Sequence, residues 1–209
     1  MKKTIYIARH GQTDYNKADL VQGRAIDAHL NDYGQAQGDA MSEALMKVSF
    51  DKIYTSSLQR TWETARLLLE KGYPTEAVEG LDELHYGVYE NTPINQEGDN
   101  VWNVMNQWIE GNPKAKAEGG ESPVEVQNRQ KEALEGILAE PNEQTILLVM
   151  HSRAIRILMC TLLKKPLTEM HTFTPKNTGI TKFSYDTVSK TFELIEFNNT
   201  EHLEGLAPQ

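Results

Sequence analysis

The sequence predicts an α/β fold, a central sheet flanked by helices, in a single domain over residues 1–209 with an inserted flap at about 91–122. Three observations carry that expectation. Short β-rich runs alternate with longer stretches of helical periodicity along the chain. The run 145–150 (TILLVM) is apolar throughout, as a central strand should be. Residues 91–122 break the rhythm with Asn, Gln, Gly and acidic side chains, which reads as an insertion over the sheet.

Each element follows from its residues. Residues 4–8 (TIYIA) read as a buried strand. Between 31 and 48, Ala36, Ala40, Met41, Ala44, Leu45 and Val48 recur at helical spacing, with Asn31 or Asp32 as N-cap. Residues 51–55 form a second strand. The next helix carries Leu58, Thr61, Trp62, Ala65, Leu68 and Leu69 on one face and ends at Gly72-Tyr73-Pro74. Residues 75–78 supply a third strand. Inside the flap, Val101, Met105, Trp108 and Ile109 mark a helix, and Ser122 caps another that runs to about Ala139. The strand at 145–150 leads into a helix over 154–163, and two antiparallel strands at about 179–185 and 191–197 close the fold. The tail from Thr200 to Gln209 is expected to fray.

Composition excludes several classes. Lys and Arg total 21 against 30 Asp and Glu, a formal net charge of −9 with no basic block, which disfavours nucleic-acid and membrane-surface partners. A single cysteine, Cys160, excludes an internal disulfide framework and a Cys-rich zinc site; among apolar neighbours it reads as a small buried hydrophobe. No apolar run has the length of a membrane span, and the stretch after Met1-Lys2-Lys3 is too short for a signal peptide. The expected setting is soluble and cytoplasmic, with an edge strand or the flap available for a homodimer.

In an open α/β sheet, ligands bind beyond the carboxyl ends of the strands. After the first strand come Arg9 and His10, in the run Ala8-Arg9-His10-Gly11-Gln12-Thr13. Ser56, Ser57 and Arg60 follow the second, and His151-Ser152-Arg153 the central one. Cations from three strands thus converge on one edge, where they repel unless an anion lies between them. A phosphate is such an anion, and guanidinium forks match its oxygens. Arg9 and Arg60 would neutralise the equatorial oxygens, His151 would donate to another, and His10 could attack phosphorus in line. The start of the helix after His151 would add backbone donors. The leaving oxygen then requires a proton from a carboxylic acid across the site.

The residues Arg9-His10-Gly11-Gln12-Thr13 with Asn16 and Gln22-Gly23 resemble the opening motif of the histidine phosphatase superfamily, the phosphoglycerate mutase-like proteins. Ser56-Ser57-Leu58-Gln59-Arg60 with Thr64-Ala65 is similar to its second arginine motif, and Glu83-Leu84-His85-Tyr86-Gly87 to its acid motif. Gly119-Gly120-Glu121-Ser122 with Arg129 resembles its flap-end motif, and His151 its second histidine. The likeness spans about residues 4–185. It implies a mixed, mostly parallel sheet, a phosphohistidine on His10 and a phosphate pocket of Arg9, Arg60 and His151 assisted by Asn16, Gln22 and Gly23. It also implies Glu83 as proton donor, with no metal and no cofactor. Departures are Ser152-Arg153 where many members carry Gly, which implies either a tighter phosphate pocket or an added hydroxyl, Tyr15 for a common Trp, and Asn91 for a Gly.

The expected activity is metal-independent hydrolysis of a small phosphorylated metabolite. No Gly-x-x-x-x-Gly-Lys loop, Asp-x-Asp pair, cysteine-phosphatase loop or zinc-hydrolase spacing offers another phosphate chemistry. The rival within the family is a 2,3-bisphosphoglycerate-dependent mutase, whose longer insertion carries extra cations. Here residues 91–122 hold Lys114 and Lys116 against Glu97, Asp99, Glu110, Glu118 and Glu121, although Lys17, Arg24 and Arg153 are other candidates for a second anion. A non-catalytic phospho-ligand binder is the rival from another class. The acidic, amide-rich flap points to a neutral or weakly polar organic moiety. His85 is read as orienting its loop, and Trp102, Met105 and Trp108 as either core or an apolar wall over the substrate.

Overall fold

The computed structural model describes residues 2–95 and 97–206. Six strands form one sheet: β1 (Lys2–Arg9), β2 (Lys52–Thr55), β3 (Thr75–Ala77), β4 (Thr145–Met150), β5 (Ile180–Asp186) and β6 (Thr191–Asn199), in the order β3-β2-β4-β1-β5-β6. The first four strands of that row run parallel, and β5 and β6 are antiparallel additions to the β1 edge. The sheet is mixed and mostly parallel. Gln96, inside the flap, and residues 207–209 of the tail lie outside the described residues.

Alternation along β4 divides the core. Ile146, Leu148 and Met150 face Leu134 and Ile137 of α6 (Pro123–Ala139) and Ile155, Leu158 and Met159 of α7 (Ser152–Leu162). Leu147 and Val149 face the other layer, where Met41 and Leu45 of α2 (Asp32–Leu45) pack with Ala65 and Leu68. A third apolar cluster ties the flap helix α5 (Val101–Ile109), through Val104 and Trp108, to Ile157 and Cys160 of α7.

Local signals explain the helix starts. Asn31 accepts the Gly34 amide at 2.8 Å, and Ser122 and Glu125 form a reciprocal capping box with Pro123 in the first turn. Two expectations need correction. The single helix over 58–69 is two, α3 (Gln59–Thr64) and α4 (Arg66–Glu70), parted at Ala65. Thr64 Oγ1 donates to the Arg60 carbonyl at 2.6 Å and accepts the Gly11 amide at 2.9 Å, so its side chain competes for helix backbone in order to hold the β1 loop. The tail, expected to fray, forms a 3₁₀ turn at Glu201–Leu203, and His202 Nε2 lies 3.1 Å from Thr178 Oγ1. A short helix, α1 (Asp14–Lys17), was not anticipated; Thr13 and Asn16 close its capping box.

Candidate active site

The loop after β1 is held from three sides. The His10 amide donates to Met150 O at 2.9 Å, and Asn177 Nδ2 donates to His10 O at 2.9 Å. Backbone meets backbone where the loop crosses the start of α2: a Cβ on Gly11 would lie 2.4 Å from Gly34 O, and one on Gly34 would lie 2.0 Å from Gln12 O. His10 Nδ1 is 2.7 Å from Gly11 O. A carbonyl only accepts, so Nδ1 carries the proton and Nε2 keeps its lone pair. Burial, then the charges of Arg60 and Arg9, hold the His10 pKa well below 6.5, so the imidazole is neutral and nucleophilic at neutral pH.

Arg60 and His151 form a layer behind it. Arg60 Nε donates to His151 Nδ1 at 3.2 Å, which places the proton of His151 on Nε2, 2.8 Å from Ser56 Oγ. Ser56 also accepts the Leu58 amide at 3.0 Å and donates to Asp82 Oδ1 at 2.9 Å. Asp82 is buried, takes Ser57 N and Oγ as well, and is paired with Arg24 at 3.1 Å. The remaining Arg60 nitrogens donate to Ile26 O at 2.6 Å and Gly23 O at 3.3 Å. Burial lowers the Arg60 pKa to about 10, with Glu83 opposing, and lowers that of His151 well below 6.5.

Glu83 reaches the site from the loop after β3. Its Oε1 accepts the amides of Leu84 and Ala154 at 2.9 Å, and its Oε2 that of Arg153 at 3.0 Å. The N-terminal donors of α7, expected to serve a phosphate, thus serve this carboxylate. Arg129 fastens the loop, donating to the carbonyls of Gly80, Asp82 and Glu83 at 2.9–3.0 Å and pairing with Glu121 at 2.9 Å. His85 Nδ1 accepts the Gly87 amide at 2.9 Å, an orienting contact within the same loop. Asn91 has φ +65°, in the left-handed region where Asn substitutes for Gly.

These elements enclose a cavity of about 260 Å³. Arg9, His10, Asn16, Gln22, Glu83 and Ser152, all singled out in the sequence, line it. Arg60 and His151 do not. Both are 0% exposed, and their donors and acceptors go to protein partners, so they back the wall that sequence reasoning expected them to form. Gly23 likewise contributes its carbonyl to Arg60, away from the cavity. Three buried donors of cavity-lining residues have no partner, Arg9 Nε, Gln22 Nε2 and Arg156 Nε; Gln22 Oε1 is meanwhile held by Thr13 Oγ1 at 2.7 Å. Burial lowers the Arg9 pKa to about 10, with Glu83 opposing. Trp102 and Met105 form a wall of the cavity, whereas Trp108 is core, donating from Nε1 to Ala115 O at 2.7 Å. Arg153 and Arg156 also line it. Arg156 escaped the sequence reading, although its spacing of three from Arg153 on a helix was a usable signal. Among the described residues, no group of three or more His, Cys, Asp and Glu side chains is arranged to hold a metal ion, and no helix is long and apolar enough to cross a membrane.

The profile of the Histidine phosphatase superfamily (branch 1) matches residues 5–200. The chain belongs to the histidine phosphatase superfamily. A relative named probable phosphoglycerate mutase GpmB, from Yersinia pestis (strain Pestoides F), is 30% identical over 182 residues, 87% of this chain and 84% of the relative. Among solved structures, a mycobacterial glucosyl-3-phosphoglycerate phosphatase complexed with VO3 superposes with a TM-score of 0.83 at 29% identity, covering 95% of this chain and 100% of that one. The phosphoserine phosphatase of Entamoeba histolytica, in complex with 3-phosphoglyceric acid, has a TM-score of 0.83 at 27% identity, covering 96% and 98%. Histidine phosphatase superfamily members of this kind are phosphatases or mutases, and the fold and the order of motifs here are theirs.

Proposed function

We propose that this protein is a metal-independent phosphomonoester hydrolase of small metabolites, working through a phosphohistidine on His10. The observation that carries the reading is the His10 imidazole: neutral, its Nδ1–H spent on Gly11 O, its Nε2 lone pair at a cavity whose walls hold unpartnered guanidinium and amide donors. Nε2 attacks phosphorus as the ester P–O bond breaks in line, and the leaving oxygen takes a proton from Glu83. Water then attacks the phosphohistidine and returns a proton to Glu83, and inorganic phosphate leaves. Arg9, Gln22 and Asn16 neutralise or hydrogen-bond the phosphoryl oxygens, with Arg60 supplying positive charge from behind. Ser152 adds a hydroxyl.

Hydrolysis is favoured over phosphoglycerate mutation because the flap contributes Ile94, Val101, Trp102 and Met105 to the cavity and no cation. Lys116 is committed to Glu125 at 2.7 Å, and Arg24 to Asp82 and Glu79. The two structural relatives are both phosphatases, which supports the same choice, while the sequence relative is named a probable phosphoglycerate mutase.

The test is reaction with nitrophenyl phosphate and with 3-phosphoglycerate, with and without 2,3-bisphosphoglycerate, reading both free phosphate and 2-phosphoglycerate. Phosphate release that survives EDTA and disappears in His10→Ala is expected. Glu83→Gln should slow alkyl phosphates by about 10²–10⁴-fold and nitrophenyl phosphate far less, since nitrophenolate leaves without a proton. Fast 2-phosphoglycerate formation that depends on the bisphosphate would make the protein a mutase instead.

A further inference from the structure

Three primary amides form a row that ends at the cavity, and each oxygen in it accepts from the amide before. Asn177, in the loop before β5, spends both hydrogens of Nδ2, one on His10 O at 2.9 Å and one on Asn16 Oδ1 at 3.2 Å. Asn16 Oδ1 also accepts the Thr13 amide at 3.3 Å, and Asn16 Nδ2 lies 3.5 Å from Gln22 Oε1. Gln22 Oε1 takes the Thr13 hydroxyl as well, which leaves Gln22 Nε2 buried without a partner. Asn16 and Gln22 line the cavity, and Asn177 does not.

The direction of that row matters chemically. A primary amide has nearly the same shape either way round, whereas a phosphoryl oxygen accepts hydrogen bonds and is repelled by an amide oxygen. Something other than shape must therefore choose the end that Gln22 presents. The Thr13 hydroxyl can donate or accept and so fixes neither. Asn177 can fix it, because His10 O only accepts and holds the Nδ2 end in place. Its loop is anchored away from the cavity: Asn198 Oδ1 of β6 accepts the Lys176 amide at 2.8 Å, and the Thr178 amide donates to Arg9 O at 2.9 Å. Hydrogen bonds in such a chain also polarise one another, which strengthens the terminal donor.

We propose that Asn177 is a positioning residue for phosphate recognition: through Asn16 it sets the row so that Gln22 turns Nε2 toward the phosphoryl oxygens. This rests on the hydrolase reading of the same cavity and adds a residue that touches no substrate. The same amide group seats the His10 backbone, so the attacking nitrogen and the phosphate donors are placed from one point.

Calorimetric titration with inorganic phosphate reads the row without turnover. Asn177→Ala should weaken phosphate binding about 10-fold, the worth of one hydrogen bond to a charged group. Asn177→Leu, which keeps the shape without the donor, should match it. In an Asn16→Ala background, where the row is already broken, either substitution should cost less than about twofold. Phosphate should move the Gln22 side-chain amide signals in nitrogen–proton spectra of wild type, assigned by their loss in Gln22→Ala, and move them far less in the Asn177 variants. Equal losses in both backgrounds, or an unchanged Gln22 response, would overturn the positioning role and leave Asn177 a loop anchor. Wild type that binds no phosphate overturns this role and the hydrolase reading together. If binding and spectra behave as expected while wild type releases phosphate from no monoester, the positioning role stands and the hydrolase reading falls.

Discussion

Replacing Ser56 by alanine removes the oxygen that joins the buried histidine layer to Asp82. In the native fold that oxygen accepts His151 Nε2–H at 2.8 Å and the Leu58 amide at 3.0 Å, and donates to Asp82 at 2.9 Å. Alanine leaves two donors buried and unpaired, each costing about 1–3 kcal/mol, so the loss should be about 2–6 kcal/mol. For a chain of this size that corresponds to a melting point lower by about 4–24 °C. Ser57 supplies the internal control. Its hydroxyl also reaches Asp82, at 2.8–2.9 Å, but the residue is exposed and Asp82 keeps the Ser57 amide, Ser56 and Arg24. Ser57→Ala should therefore cost about 0.5–1 kcal/mol. Urea unfolding of the three proteins at pH 7.5 reads the contrast directly. Equal losses in the two variants, or a Ser56→Ala loss below 1 kcal/mol, would refute the idea that this hydroxyl satisfies and orients His151.

Two further outcomes follow from the same geometry. His10 and His151 both titrate below 6.5 in the fold, so as pH falls below about 6.5 the unfolded chain binds protons that the native protein refuses. Their contribution to stability is complete above that value and declines beneath it by up to about 1.4 kcal/mol per pH unit for each histidine. Urea midpoints between pH 5 and 8 should show the decline, with a shallower slope in His10→Asn; an unchanged slope would contradict it. Gly34→Ala drives a Cβ to within 2.0 Å of Gln12 O and should destabilise by about 1–3 kcal/mol or more, whereas Gly136→Ala, with open space around it in α6, should stabilise by about 0.5–1 kcal/mol, both measured by thermal unfolding.

The strands were legible because each buried face writes itself into local hydrophobicity. The run 145–150 is a strand with the predicted bounds, and Asn31 and Ser122 cap the helices they were expected to cap. Convergence of Arg9, His10 and Glu83 on one cavity could be anticipated from strand ends and from the resemblance. The layering could not. Arg60 and His151 are held behind the cavity by contacts with each other across 91 residues and with Ser56 across 95, which no local pattern encodes. The break at Ala65 was hidden for a similar reason, since Thr64 leaves helical duty for a partner 53 residues earlier. Arg156 was passed over because one arginine on a helix normally faces water; only the fold turns that face of α7 inward.

The position of β4 has a consequence for how the polypeptide emerges from synthesis. It lies between β1 and β2, with Thr4 opposite Thr145 and Lys52 opposite Ile146, so the first two strands have no direct contact to hold them together until it arrives. Strand closure over about 140 residues is entropically costly and slow. A nascent chain released before that segment would expose two apolar strand edges and carry His10, the proposed nucleophile, on a loop with no backbone acceptor at Met150 to seat it. On the proposed function, the site around His10 therefore forms late in synthesis, when the central strand slots home.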